Sequence, residues 1–432
     1  MKIFVLTLGC PKNVVDSERL MTGMFNSKIQ FVDHAEQADV VIINTCAFIL
    51  PAREEAIEAI LEAVELKKQT KIERIYVTGC LPQRYIDELQ KEIPEVDGFF
   101  VEQDFTEIAN RLAIEFNFSA DRIASRRIFQ TPGHYAYLKI AEGCDNRCHY
   151  CTIPIIKGNY QSRPIGDVID EAKLLADSGA RELIIVAQDS TYYGWDRSDK
   201  NSLSQLIEKL AAIPNIAWIR LLYAHPAHVN DQLIQLYQDE EKLCRYIDLP
   251  IQHISDRILK SMGRKTTSAA IKRIVDKLRA KVPGIAIRTT LMVGYPGEQD
   301  EDFTLLREFV MTARLERLGV FKYYAEEGTR SFKLPDHVDE QVKDERLEEI
   351  MELQSEIALE KNQELIGKTL PVIIDERDED SSGFIGRTQW DSPSIDNIVH
   401  VAGKVKPGGI YPVTIDNVAE YEIWGTSREV PL

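Results

Sequence analysis

The chain has 432 residues, 44% of them hydrophobic and 28% charged, a soluble globular composition too long for one ordinary core and best divided into about three domains. Its 52 basic and 69 acidic side chains leave a net charge of −17, which excludes a general pull toward phosphate backbones: free RNA is not an expected partner, and a basic protein is an easy one. No stretch reaches the roughly 18 to 20 uninterrupted apolar residues that span a bilayer, so no membrane partner is expected either.

The opening segment, MKIFVLTLGC, superficially resembles a secretory leader running into a lipidated cysteine. Its apolar run is short and only Lys2 precedes it, so Ile3 to Leu8 reads as a first buried strand. Without a leader the seven cysteines belong to a reducing, cytoplasmic compartment, where spaced thiols read as metal ligands rather than disulfides. A helix is expected from about Asp16, a strand at Val40 to Ile43, and a helix that Pro51 can start, with Ile57, Ile60, Leu61 and Val64 at helical spacing. Ile75 to Val77 gives a further strand. Continuous apolar strands alternating with amphipathic helices predict an α/β fold whose N-terminal domain, residues 1–116, is a doubly wound parallel sheet.

Periodicity lapses between about Asn117 and His134, where Arg122, Arg126 and Arg127 approach the Pro132-Gly133 pair, and this reads as a linker. Strands then recur near Tyr135 to Ile140, Leu183 to Ala187, Trp218 to Tyr223, Tyr246 to Leu249, Ile285 to Met292 and Val320 to Tyr324. Six such units are fewer than a closed eightfold barrel needs, which predicts a central open (β/α)6 partial TIM barrel over residues 130–365. Its last helix runs from about Asp339 to Leu365, with Val342, Leu347, Ile350, Leu353 and Ile357 on its apolar stripe. Over residues 366–432 short alternating runs between Gly383, Gly386, Pro393, Gly403, Pro407 and Gly408-Gly409 predict a small antiparallel β-barrel or sandwich.

Cys144, Cys148 and Cys151, in EGCDNRCHYC directly after a predicted strand, allow one loop to wrap a metal cluster with three soft thiolates. A four-iron cluster held by three cysteines leaves one iron open to chelate the amino and carboxylate groups of S-adenosylmethionine, pass an electron to its sulfonium and generate a carbon radical. The plainer alternative is structural zinc, but His134 and His149 do not complete a familiar zinc spacing. Tyr150, beside the last cysteine, is either a core aromatic or a platform that stacks on adenine. Cys10, Cys46 and Cys80, in TLGC, NTC and TGC, each end a predicted strand. The carboxyl ends of parallel strands point to one edge, so three distant thiols converge on one crevice and suit a second cluster with an open iron. Taken singly, each would read as a buried core cysteine; Cys244 has no companions and reads that way.

LGCPKNVVDSE, NTCAF and VTGC, then EGCDNRCHYCTIPIIKG, then LMVGYPGE and RLGVFKYYAEEGT together make the chain resemble the radical S-adenosylmethionine methylthiotransferases along its whole length, with a terminal barrel similar to the TRAM module. The resemblance implies insertion of sulfur and a methyl group at an unreactive C–H bond. It also implies a radical-generating [4Fe-4S] cluster on Cys144, Cys148 and Cys151 and an auxiliary [4Fe-4S] cluster on Cys10, Cys46 and Cys80. One S-adenosylmethionine would supply the radical and another the methyl group.

Pro11-Lys12-Asn13 after Cys10 and LGVFKYYAEEGT resemble the branch that modifies the β-carbon of an aspartate in small-subunit ribosomal protein twelve, free or in the assembled subunit; the tRNA branch carries Gln-x-Asn at the first position. An electron-donor protein is a further expected partner. Lys157 departs from the family's arginine, keeping charge but losing bidentate hydrogen bonding. From Gly367 to Leu432 eleven acidic residues face six basic ones, a net charge of −5, which suits a basic ribosomal protein better than RNA.

Gln188, Asp189 and Gly294 to Glu298, at expected strand ends, are candidate S-adenosylmethionine contacts or turn residues. Arg288 either points into the barrel or pairs with an acidic neighbour, and His225, His228 and His253 read as structural. Methylthiolation of a tRNA adenosine is the alternative if Arg122, Arg126 and Arg127 form a basic patch, and a non-catalytic, metal-stabilised RNA- or ribosome-binding module is the reading from another class.

Overall fold

The computed structural model describes residues 1–26, 28–101, 105–117, 127–199, 202–379 and 382–428. Five parallel strands, β1 (Lys2–Thr7), β2 (Gln30–Phe31), β3 (Val40–Thr45), β4 (Arg74–Gly79) and β5 (Gly98–Phe99), form the first sheet in the order β2-β1-β3-β4-β5. The central strand β3, VVIINT, is buried at every position because helices cover both faces. Leu20 and Met24 of α1 (Pro11–Met24) and Ile108 and Leu112 of α4 (Phe105–Glu115) pack on Ile3, Val40 and Ile42. On the other face Ile60 and Val64 of α2 (Leu50–Gln69) and Leu89 of α3 (Cys80–Glu92) pack on Val41, Ile43, Ile75 and Val77.

Two expectations change in this unit. Ile57 and Leu61, placed on the inner stripe of α2 by spacing alone, are 38% and 51% exposed, because the helix turns Ala56, Ile60, Ala63 and Val64 inward instead. The first helix begins at Pro11, not near Asp16: proline suits a first helical position, so Lys12 and Asn13 belong to its first turn.

The second unit starts with β6 (Tyr135–Lys139) and a two-stranded ribbon of β7 (Ala141–Glu142) and β8 (Gln161–Ser162). Then follow β9 (Glu182–Val186), β10 (Trp218–Leu221), β11 (Leu243–Asp248), β12 (Ala286–Val293) and β13 (Arg317–Lys322). The six long strands pair in parallel and in chain order from β6 to β13, and the two end strands do not close on each other. The short α5 (Ile153–Ile156) follows β7, and α6 (Ile165–Asp177), α7 (Ser202–Ala211), α8 (Asp231–Asp239), α9 (Asp256–Ser261), α10 (Ser268–Lys281), α11 (Asp300–Ala313) and α12 (Glu340–Gln363) follow in turn. Among the described residues no helix is long and apolar enough to cross a membrane.

The third unit is a closed barrel of β14 (Thr369–Arg377), β15 (Phe384–Thr388), β16 (Ile398–Gly403), β17 (Ile410–Val418) and β18 (Glu422–Ser427). It is not wholly antiparallel: β18 returns from its pairing with β17 to lie parallel to β16. The inner face of the partial barrel, including Tyr137, Ile184, Val186 and Tyr246, shares one apolar cluster with Val15 of α1 and with Ile373 and Ile410 of the terminal barrel.

Charge stitches the terminal barrel to that inner face. Buried Glu182 pairs with Arg220 at 2.7 Å and with Arg387 at 2.8 Å, and Arg387 also holds Asp375 at 2.7 Å. Asp391 pairs with Arg317 at 2.7 Å, while Asp396 lies 3.4 Å from Arg288 and accepts from the Tyr246 hydroxyl at 2.7 Å. Part of the acidic excess read from composition, Asp375, Asp391 and Asp396, is therefore turned inward. Among the described residues of this unit, Glu376, Glu379, Asp416 and Glu422 and the basic Lys368, Arg377, Lys404, Lys406 and Arg428 are exposed. Arg288 likewise pairs with acids, Asp248 at 2.9 Å and Asp396.

Burial alone would raise the carboxyl of Glu182, but Arg387 and Arg220 hold it below its ordinary value. Its contribution to stability is present above the carboxylate's unfolded pKa and is lost as pH falls through the depressed folded value. Glu182→Ala strands two buried guanidinium groups and should destabilise the chain by about 3–5 kcal/mol. Urea unfolding at neutral pH measures this loss, and the gap between variant and parent should shrink as the medium is acidified.

Candidate active site

Cys10, Cys46 and Cys80 follow β1, β3 and β4, three strands adjacent in the sheet, and the register sets Thr7 beside Asn44 and Thr45 beside Gly79. The thiols meet at one edge because the backbone before two of them adopts left-handed φ. Gly9, at +90°, lies where a Cβ would sit 2.6 Å from the Cys46 Cβ, and Gly79, at +94°, where one would sit 2.4 Å from the Thr45 carbonyl oxygen. Asn13 ties the loops together: its amide donates to the carbonyls of Leu8 at 2.8 Å and Thr45 at 3.1 Å, while the Asn44 amide donates to the Asn13 carbonyl at 2.9 Å. Asn13 sits inside the LGCPKN motif, but its stapling role becomes visible only with the fold.

The second triad lies on the loop between β7 and α5. The Asn146 amide spans 3.5 Å to the Cys144 Sγ and 2.7 Å to Asp189, and an Arg264 nitrogen lies 3.9 Å from the Cys148 Sγ. Tyr150 packs against Ile258, Met262, Tyr295 and Tyr323; burial raises its phenol well above the ordinary value, and Cys148 adds to the shift. Arg264, between α9 and α10, belongs to no motif that marks it in the sequence. Cys244 is buried at the inner face of the partial barrel.

The loops that carry the two triads pack against each other. Thr152, next to Cys151, donates to the Phe48 carbonyl at 3.3 Å, close to Cys46. Ile156 of α5 is buried in the core of the first unit beside Cys80 and Leu81. The Lys12 ammonium lies 3.6 Å from the centroid of Tyr223, just past β10. Lys139 pairs with Asp16 of α1 and, at 2.7 Å, with Glu142. Glu326, in the YYAEEGT segment, clamps the rim by accepting from Arg53 and from Arg84 at 3.0 Å, and Arg84 also donates to the Ala47 carbonyl at 2.8 Å.

Burial opposes charge on every group here, and neighbours decide the outcome. It pushes the Cys80 thiol up to about 12 and the Cys144 thiol to about 11, and it raises Cys46 and Cys151 as well. A metal cluster must therefore displace their protons, so loading strengthens as pH rises. Burial would neutralise Lys157, but Glu142, Cys80, Asp16 and Cys10 hold it charged above its ordinary value. Glu142 is buried too, yet Lys139 and Lys157 bring it down to about 2.

Several candidate S-adenosylmethionine contacts are engaged within the protein. Gln188 donates to Glu142 at 2.8 Å, and Asp189 accepts from Thr191 and Asn146 and meets His228 at 2.7 Å. Glu298 accepts from the Gly294 backbone at 3.0 Å and pairs with Arg346 at 2.8 Å, which fixes the GYPGE turn. His225 accepts from the Ala227 backbone and His253 from that of Ser255. Arg127 is buried against Glu18 and Glu171 and forms no basic patch, while Arg122 and Arg126 lie outside the described residues.

The donor sets fit clusters better than single ions. Among the described residues, the group of ligand-type side chains whose donor atoms all lie within 4.8 Å of one another is Asp189, His225 and His228; the sulfurs of each cysteine triad are spread more widely. One tetrahedral zinc with bonds of about 2.3 Å needs sulfurs roughly 3.8 Å apart, whereas a multi-iron cluster bridges a larger triangle.

Comparison with known proteins agrees with this geometry. Residues 2–101 match the uncharacterized protein family UPF0004, 138–310 the radical SAM superfamily and 366–427 the TRAM domain. Among solved structures, the radical S-adenosylmethionine methyltransferase TsrM from Kitasatospora setae, with tryptophan and a SAM analog bound, superposes with a TM-score of 0.54 at 15% identity, over 74% of this chain and 72% of its own. The cobalamin-dependent S-adenosylmethionine radical enzyme OxsB, with S-adenosylmethionine bound, gives 0.52 at 11% identity, over 81% and 56%. At such identities these likenesses show the fold alone. Curated relatives named "Ribosomal protein uS12 methylthiotransferase RimO" are far closer: that of Christiangramia forsetii is 44% identical over 99% of this chain and 95% of its own length, and that of Lachnoclostridium phytofermentans is 42% identical over 99% and 100%. The chain therefore belongs to the ribosomal protein uS12 methylthiotransferase family of radical SAM enzymes.

Proposed function

We propose that the protein methylthiolates the β-carbon of an aspartate in ribosomal protein uS12, in the cytoplasm, using two [4Fe-4S] clusters and S-adenosylmethionine. Cys144, Cys148 and Cys151 hold the first cluster and Cys10, Cys46 and Cys80 the second, with Tyr150 beside the first as the platform for adenine. Cys144, Cys148 and Cys151 would hold the cluster that, with S-adenosylmethionine, supplies radical chemistry, and Cys10, Cys46 and Cys80 the one that would supply sulfur and methyl transfer. Residues 1–116, 130–365 and 366–432 act respectively as the carrier of the auxiliary site, the radical-generating barrel and the module that supports substrate binding.

The observation that carries this reading is the shared crevice. A hydrogen-abstracting site and a sulfur-donating site must both reach one substrate carbon, and Thr152 and Ile156, just past Cys151, touch the first unit beside Cys46 and Cys80. The crevice also suits a carboxylate-bearing target. Among the described residues neither Lys12 nor Lys157 has a carboxylate within ion-pair distance, although both ammonium groups face inward beside the thiols. The substrate aspartate fits as the missing counter-charge, with Lys12, supported on the Tyr223 ring, as its partner.

Two outcomes test this. Replacing Cys144, Cys148 and Cys151 by alanine should abolish reductive cleavage of S-adenosylmethionine and leave about half the iron; the Cys10, Cys46 and Cys80 variant should keep cleavage and make no methylthiolated product. Iron and sulfide analysis with mass spectrometry of the peptide reads both, and loss of all iron from either variant would mean a shared site. For Lys12→Met, cleavage driven by a chemical reductant should persist, while KM for uS12 rises about 10- to 100-fold, the size of one hydrogen bond to a charged group. A uS12 peptide carrying asparagine in place of the target aspartate should bind parent and variant alike.

A further inference from the structure

A groove of about 1030 Å³ runs along the outer rim of the partial barrel, between the turn at Pro226 to Val229, the start of α8 and the loop joining α9 to α10. Its cationic lining is Lys260, Arg264, Lys265, Arg273 and Lys277, against the carboxylates of Asp231 and Asp256. Both carboxylates are engaged: Asp231 pairs with Lys277, and Asp256 accepts from the Ser268 backbone at 2.6 Å, which anchors the start of α10. Lys260, Lys265 and Arg273 are exposed, and among the described residues they make no ion pair. On a chain of net charge −17, a row of unpaired cations in a concave surface selects an anionic partner.

The inner wall of the groove touches the radical triad. Arg264 lines the groove and reaches the Cys148 Sγ at 3.9 Å. The segment just before it receives His149, whose ring nitrogen meets the Ser261 carbonyl at 2.8 Å and whose backbone N–H donates to the Met262 carbonyl at 2.9 Å. A single layer of side chains separates the groove from the thiols, and electron transfer falls off steeply with distance. Radical generation consumes one electron from outside the chain in each turnover. Another anionic polymer, RNA, would satisfy the charge, but nothing about RNA calls for contact beside Cys148.

We infer that this groove docks a small acidic one-electron carrier protein, which reduces the cluster assigned above to Cys144, Cys148 and Cys151; the inference rests on that assignment. One electron leaves the carrier, which is oxidised by one electron, and enters the cluster, and no bond or proton changes hands at the groove. Arg264 is the wall between the two, while Lys260, Lys265 and Arg273 hold the carrier's acidic face.

The test uses the reconstituted full chain, the triple variant Lys260→Glu, Lys265→Glu, Arg273→Glu and, as a milder change, Lys265→Glu alone. With sodium dithionite as reductant, all three proteins should cleave S-adenosylmethionine at the same rate. With a reduced flavodoxin, a strongly acidic flavoprotein, as the probe, KM for the carrier should rise at least tenfold in the triple variant and severalfold in Lys265→Glu, and the parent's sensitivity to salt should disappear. Calorimetric titration with oxidised flavodoxin should show the same loss of affinity without turnover. Unchanged carrier KM and affinity would overturn the proposal, as would an equal loss with dithionite. Unchanged carrier binding with weakened binding of a small-subunit RNA fragment would assign the groove to RNA instead. Absence of dithionite-driven cleavage in the parent would instead mean that the cluster assignment itself had failed.

Discussion

A parallel sheet sends the carboxyl ends of all its strands to one edge, and the rest of this molecule depends on where that edge points. β1, β3 and β4 are neighbours, each is followed by a cysteine, and the edge they share faces the mouth of an open barrel whose first loop carries three more. The wedge that aligns them is α1. Its Val15 enters the apolar inner face of the barrel, its Asp16 pairs with Lys139 of β6, and Lys12 in its first turn lies over Tyr223. Moving α1 would separate the two triads without unfolding either sheet.

The same inner face explains the terminal barrel. The concave side of the open six-stranded barrel carries Glu182 with Arg220, Arg288 with Asp248, and Arg317. The third unit adds Arg387 to Glu182, Asp391 to Arg317 and Asp396 to Arg288. Buried ion pairs are costly to desolvate and gain their worth from complete pairing, so this joint selects one orientation of the terminal barrel more than it adds stability. Three of its acids, Asp375, Asp391 and Asp396, thus belong to an internal interface.

Much of this was legible in the sequence. Strand and helix periodicity marked the three units, and both triads stood out because their cysteines recur at strand ends and at loop spacing. What the sequence could not show was pairing across long separations. Which of Ile57, Ile60, Leu61 and Val64 faces inward depends on the sheet that α2 covers. Whether Asp189 meets a cofactor or Asn146 depends on a loop 43 residues away, and Arg264 reaches Cys148 across 116. Composition could not show that Asp375, Asp391 and Asp396 of the terminal barrel turn inward for the same reason: a count of charges carries no direction.

The shared crevice is the central claim, and the magnetic interaction between the two centres tests it most directly. Dipolar coupling falls with the cube of distance, so two reduced clusters facing one cavity must broaden each other's electron paramagnetic resonance. The spectrum of the anaerobically reconstituted, fully reduced chain should show two iron–sulfur signals with mutual broadening that vanishes when either centre alone is reduced. Two sharp, independent signals under full reduction would contradict the account.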